Sequence, residues 1–389
     1  MQLNLNDSFD VFSKNFDLSQ EGFDGVKPEF LKPITVEESC RKLEMSQEIV
    51  EAVVLAAKDI PDNQAVWALA RHCYWLLFEQ DDVPNTKAWP MLPEFEGKAW
   101  AEMFYAFVFL SGVDYIFELN DSRGVERQIT YHTLSDLELW IREHYNRFGR
   151  FGLSEQCWLG RLFKGHLYSL GRLQFELGKF DFDFHVFKNK KGNVTILAGD
   201  QMEFRDDGQF NGTNGIFCDN TWRAEYSYNG LTVVGNTIDE YGNASQQKVR
   251  LDTQDWIQVL RNGDNVCKIH ISASGPLKPE LCKHSLIRAN AFFKTHFADF
   301  NPKGFSCDSW LLDIQLADYL KSDSNIINFQ SLFNLYPIPD SNDNQTMERV
   351  FGKRPKKLAQ APQNNLLQKS IVQHMQNGKH WRHGGGVIV

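Results

Sequence analysis

The sequence predicts an α+β chain, with an all-helical N-terminal domain over residues 1–178 and a mixed α/β domain with antiparallel hairpins over residues 179–389. Three observations predict it. Apolar residues recur every three to four positions from about Thr35 to Leu177, the spacing of amphipathic helices. Beyond Gly178 the period changes to strict alternation, the pattern of half-buried strands. From Lys268 to His296 a short strand runs into a small-residue turn and then an amphipathic helix.

In the first half, VEESCRKLEMSQEIVEAVVLAAKDI, AVWALARHCYWLLFEQ, KAWAEMFYAFVFLSGVDYIFELNDSRG and SDLELWIREHYNRFG each read as helix. Pro61, Asp81 to Pro84, Pro90, Pro93 and Asp121 to Gly124 supply the breaks between them. Ser135 three residues before Glu138 has capping-box spacing. LYSLGRLQFE closes the helical half, and Arg172 with Glu176 at i, i+4 reads as a helix pair or as groups lining a substrate cleft beside Tyr168 and Gln174.

In the second half, FDFDFHVF, NVTILAGD, QMEFRDDGQF, WRAEYSYNGLTVVG and KVRLDTQDWIQVL read as strands. Turns are expected at Lys191-Gly192, Asp207-Gly208, Asn229-Gly230 and Tyr241-Gly242-Asn243. A second strand-then-helix unit follows the first: FSCDSWLLD, then IQLADYLKSDSNIINFQSLF with helical spacing through Tyr319. The tail carries a helix within Ala359 to His380 and ends in HGGGVIV. Three successive glycines mean either a loose end or a close backbone approach.

Composition narrows the function. Hydrophobic residues are 42% and charged residues 23%, as in globular proteins, and 389 residues suffice for two cores. The net charge of -9 argues against nucleic acid, whose phosphates need a basic surface. The seven cysteines are dispersed without a C-x-x-C pair, so no metal centre or disulfide framework is expected and a reducing, cytoplasmic setting is. No apolar run has the length of a membrane span, and the first residues lack the blocks of a signal peptide.

The functional expectation centres on Ser272, Ala273, Ser274, Gly275 and Lys278. A strand that stops at a glycine-containing loop and restarts as a helix aims backbone N–H groups at one spot, where the helix dipole adds positive charge. Phosphates bind well there, although an ordinary strand-to-helix turn has the same pattern. The words IHISASGPLKPE, SCDSWLLD, SNIINFQSLF and LYSLGRLQFE resemble a bacterial family of acyltransferases with an N-acyltransferase N-terminal domain and a GNAT-like C-terminal domain, from about Glu48 to the C-terminus. The resemblance implies acyl-CoA, such as acetyl-CoA, against residues 272 to 278 and a small-molecule or peptide amine as acceptor. The usual GNAT glycine signature is absent: only Gly275 is present, and Pro276 and Pro279 each remove a donor. A non-catalytic binding or scaffold module with a GNAT-like fold is therefore the alternative.

The same resemblance implies catalytic roles for four residues. His270 is a base or positioning group, against a packing histidine. Alternation puts Cys307 and Ser309 on one face of their strand and Asp308 on the other, with Cys307 either a nucleophile or a buried core thiol. Tyr319 takes the place of a general acid on the following helix, or is a helix-face aromatic. Lys278 and Arg288 are candidates for phosphate contact. A hydrolase built on Cys307 and His270 is a third reading, without an acid to orient the histidine.

Overall fold

The computed structural model describes residues 14–389 apart from 83, 87, 88, 91, 93, 94, 273, 274 and 341. The chain divides into two compact units, residues 1–169 and residues 170–389. The N-terminal stretch expected to lack a signal lies mostly outside the described residues.

In the first unit the described elements before Leu167 are helices. Gln64–Phe78 starts cleanly because the Asn63 side chain accepts from the Ala65 N–H at 2.9 Å. Phe104–Ser111 is apolar all round, and every residue from Phe104 to Leu110 is buried, the signature of a central core helix. Ser135 does not form the expected capping box. It has helical backbone angles and its hydroxyl donates to the His132 carbonyl, while the Glu138 carboxylate accepts from the Ser46 N–H and the Arg142 guanidinium.

The segment LYSLGRLQFE is not helical. It forms strands β1 (Leu167–Leu170) and β2 (Leu173–Lys179), joined at Gly171 and Arg172. Gly171 has φ +89°, and a Cβ there would stand 2.8 Å from the Ser285 hydroxyl. That hydroxyl accepts from the Arg172 N–H at 2.8 Å, so close approach and left-handed backbone both demand glycine. Periodicity misled here because Leu167, Leu170, Leu173 and Leu177 keep a three-to-four spacing across a tight turn.

The hairpins come next: β3 (Phe184–Asn189), β4 (Val194–Ala198), β5 (Glu203–Arg205), β6 (Thr221–Arg223), β7 (Tyr226–Tyr228), β8 (Thr232–Ile238), β9 (Ala244–Asp252) and β10 (Trp256–Leu260). Antiparallel pairing gives the order β10-β3-β4-β8-β7, with β9 also on β8 and β5-β6 as a separate ribbon. Strands β11 (Asn265–His270), β12 (Phe305–Ser309), β13 (Asn334–Pro337) and β14 (Gly384–Ile388) complete the other sheet, ordered β1-β2-β11-β12-β14-β13. One face of this sheet carries Val266, Tyr336 and Val387, which share a core with Phe184, Val186 and Ile196 of the hairpin sheet. The opposite face carries Phe175, whose ring meets Phe293 of the Pro279–His296 helix and Phe305.

The glycine-rich tail is not a loose end. It is β14, inserted between β12 and β13. Its glycines are needed for clearance: the Tyr336 ring lies where a Cβ on Gly385 would stand, and Phe333 Cβ would be 2.8 Å from one on Gly386. The expected long helix through Tyr319 is also replaced. A 3-10 turn spans Ile314–Asp318 and a short helix spans Asn325–Gln330, because Asp313 and Ser324 each cap a new start, accepting from Gln315 N and Ile327 N.

Asp313 is 3% exposed and accepts from the Arg382 N–H at 2.7 Å, pinning the approach to β14. Burial lifts its carboxyl from 3.8 to about 6, although Arg382 N and Gln315 oppose the rise. Between these values the folded chain holds a proton that the unfolded chain has lost, so this stabilisation is complete below about pH 4 and disappears as pH rises through about 6. Urea unfolding at pH 4 and pH 7 should show a fall of up to about 3 kcal/mol that Asp313→Asn abolishes. Gly385→Val, which forces a side chain into the Tyr336 ring, should lower unfolding free energy by about 3 kcal/mol at a fixed pH.

Candidate active site

Strands β11 and β12 run parallel. They pair at Cys267↔Phe305 and Lys268↔Ser306 and then separate. Each is meanwhile held along its other edge: β11 runs antiparallel to β2 from Asn265↔Lys179 to His270↔Gln174, and β12 to β14 from Phe305↔Ile388 to Ser309↔Gly384. The result is a wedge that opens beyond Lys268 and Ser306, between His270 and Asp308.

The wedge leads from β11 into the loop that starts the Pro279–His296 helix. Ser272 is half-buried, Gly275 is exposed with φ +136°, and Leu277 is buried. Ala273 and Ser274 lie outside the described residues. Lys278 is the exposed residue before the helix, whose start has no side-chain cap; Pro279 occupies the first turn and Glu280 complements the dipole. Arg288 is half-buried one face along, near Gly171.

Arg172 is the anchor of this loop. Its guanidinium donates to the Gly275 carbonyl at 2.5 Å and the Pro276 carbonyl at 3.1 Å, while Nη1 is buried without a partner. Burial lowers its pKa, the cost of holding an incompletely paired cation there. The anticipated Arg172–Glu176 helix pair does not form, since Arg172 lies in the turn before β2 and Glu176 on β2, and each turns to another partner.

Glu176 instead pairs with His270, Oε2 to Nε2 at 2.8 Å, with both side chains mostly buried. A carboxylate at this distance fixes the orientation of the ring, as a positioned base requires. Register assigns the faces. Gln174, Glu176, Lys268, His270, Ser306 and Asp308 share the face toward the hairpin sheet, whereas Cys307 and Ser309 share the face toward the helix. Cys307 and His270 therefore stand on opposite sides of the sheet, and the hydrolase pair does not assemble.

The alternation expected for the second strand holds: Cys307 and Ser309 are buried and Asp308 is exposed. Burial pushes the Cys307 thiol well up, keeping it protonated. The Ser309 hydroxyl accepts from Leu311 N at 3.1 Å and caps the following turn. Tyr319 sits at the end of the 3-10 turn rather than on a helix. Its hydroxyl is 3.1 Å from His374 Nδ1, while His374 Nε2 lies 3.2 Å from the His380 carbonyl. The carbonyl requires the proton on Nε2, so Nδ1 accepts from Tyr319.

Comparison with known proteins now bears on the geometry. The model of the GNAT-like C-terminal domain matches residues 167–388, and that of the N-acyltransferase N-terminal domain matches residues 34–165. The chain belongs to this acyltransferase family. Among solved structures, an acyltransferase in complex with decanoyl-CoA and teicoplanin is 24% identical with a TM-score of 0.64, covering 90% of this chain and 85% of that one. An acyltransferase with CoA and 10C-teicoplanin has the same identity, coverage and score, and a mutant acyltransferase with octanoyl-CoA scores 0.63 at 24% identity and the same coverage. These likenesses show the fold. A search of curated proteins gave no match.

Sequence reasoning had Glu176 on a helix, and gave no role to Tyr336 or His383, which also border this face. The missing signal was strand register, which pairs Lys268 with Glu176 and brings the tail beside β12. Arg172→Ala should leave the fold intact and free the loop. Hydrogen exchange at the Gly275 and Leu277 amides is expected to rise about tenfold, the effect of losing roughly 1.5 kcal/mol of charge-assisted bonding.

Proposed function

We propose that the chain transfers an acyl group from acyl-CoA to an amine acceptor. The observation that carries the proposal is the wedge: a parallel pair that opens after two positions, leads to an uncapped helix start, and has a carboxylate–histidine pair on one side. The solved acyltransferases of the same fold bind decanoyl-CoA, octanoyl-CoA and CoA, and one binds teicoplanin, a precedent for an acceptor larger than a metabolite.

The residues present fit acyl-CoA. The open space around Gly275 admits a phosphate close to the backbone, the helix start offers the Glu280 N–H and its dipole, and the orphaned Nη1 of Arg172 adds positive charge. Lys278 stands at the same helix start. The missing glycine signature is offset by Arg172, which fixes from the side a loop that other glycines would otherwise shape. Acyl-CoA supplies the activated thioester.

His270 takes the proton that the attacking amine must lose, and Glu176 holds the resulting imidazolium. The C–N bond forms as the C–S bond breaks, and the electron pair leaves on sulfur as thiolate. Ser272 borders the same mouth, and Cys307 with Ser309 lines the far wall.

Calorimetric titration with decanoyl-CoA should show saturable one-to-one binding. Gly275→Trp, which places a large side chain at φ +136° in the mouth, should weaken it at least tenfold, and His270→Ala should leave it unchanged while cutting turnover about a hundredfold or more. A chain that binds none of decanoyl-CoA, acetyl-CoA or CoA is a non-catalytic module of the same fold.

A further inference from the structure

Asp308 is exposed while its strand neighbours Ser306, Cys307 and Ser309 are buried, and among the described residues its carboxylate makes no hydrogen bond or ion pair. Register places it on the same face as His270 and level with it across the wedge, because Lys268 pairs with Ser306 and each strand advances by two. On its other side it pairs with Gly385, which in turn pairs with Tyr336. With no side chain on Gly385, the Tyr336 ring lies across that strand toward Asp308.

Two further polar groups on this face lack partners. Tyr336 is 1% exposed and its hydroxyl is buried without a hydrogen bond. His383 has Nδ1 3.3 Å from an Asp340 oxygen, and its Nε2 is buried without a partner. Burial raises the Tyr336 phenol and lowers the His383 imidazole, and the charge of Asp308 adds to the first and opposes the second. A pocket lined by Gln209, Asn243, Asp313, Tyr336, Arg382 and His383 opens beside them. Arg382 in that pocket is already paired with Asp207 at 3.0 Å.

A buried hydroxyl and a buried imidazole nitrogen without partners each cost free energy unless a ligand satisfies them. Asp340 draws the His383 proton to Nδ1, and burial keeps the ring neutral, so Nε2 presents a lone pair. The face thus offers a carboxylate, an imidazole lone pair and a phenolic oxygen, three acceptors for a group with three N–H donors. An anion would meet Asp308 and Asp340, and a neutral alcohol has one donor to give.

We propose that Asp308, Tyr336 and His383 form a subsite for a primary ammonium group of the acceptor. This deepens the acyltransferase reading and rests on it for the identity of the bound molecule as acceptor. Lys268 does not compete for Asp308, being paired with Asp181 at 2.5 Å. The subsite lies on the side of the sheet away from the Pro279–His296 helix, so acyl-CoA and ammonium approach the wedge from opposite faces.

The test uses the full chain with 15N-labelled histidine, titrated with butylammonium chloride and, at matched ionic strength, with butanol. Butylammonium is expected to shift the His383 Nε2 resonance saturably and butanol is not. Asp308→Asn should raise the half-saturation concentration about tenfold or more, and the isosteric Tyr336→Phe several-fold. No saturable shift in the unaltered chain, or the same half-saturation in Asp308→Asn, overturns the subsite. Decanoyl-CoA binding measured on the same samples keeps the two ideas separate: its retention in Asp308→Asn shows that the variant folds, while its absence in the unaltered chain defeats the acyltransferase reading and leaves the ammonium result to be read alone.

Discussion

The two strands at the centre of the second unit are held on their outer edges and released on their inner ones. Six register pairs tie β11 to β2 and five tie β12 to β14, against two between β11 and β12. Closing the wedge would require one of the longer ladders to slip, and a slip of one residue would turn every side chain of that strand to the wrong face. The wedge is therefore a product of the flanking pairings rather than of the strands that line it. The C-terminal strand is part of that frame, and its glycines are required because β12, β13 and the rings of Tyr336 and Phe333 leave no room for side chains.

The same frame sorts the chemistry by face. Apolar residues of β2 and β12 look toward the long helix, where Phe175 meets Phe293. Polar residues at the same level, Glu176, His270 and Asp308, look the other way. A helix start lies on one face and titratable groups on the other, which is what the proposed transfer from an anionic donor to a cationic acceptor calls for. Cys307 is buried and the Tyr319 hydroxyl is engaged with His374, so the proposed proton transfer is assigned to His270 with Glu176.

Much of this was legible in the sequence where the signal is local. Alternation identified the strands of the hairpin sheet, and the turns at Gly192, Gly208, Gly230 and Gly242 have the left-handed backbone that their glycines suggest. The words around residues 268 to 296 and 305 to 313 marked the family and the strand-to-helix unit. Non-local pairing was not legible. Leu167 to Leu177 kept helical spacing while forming a hairpin, so Arg172 and Glu176 were matched to each other when their partners are the Gly275–Pro276 loop and His270. Nothing in HGGGVIV names β12 and β13 as neighbours, and Tyr336 and His383 gain a role only once β14 lies between those strands.

The central claim is that acyl-CoA occupies the wedge between β11 and β12. Hydrogen–deuterium exchange with and without decanoyl-CoA tests it most directly, because a ligand held between the two strands slows exchange in the segments that line it. The account requires slowed exchange in peptides spanning residues 269–280 and 307–311, with the outer ladder of β13 unchanged. Protection confined to other segments, with these two unaffected under saturating decanoyl-CoA, would contradict it.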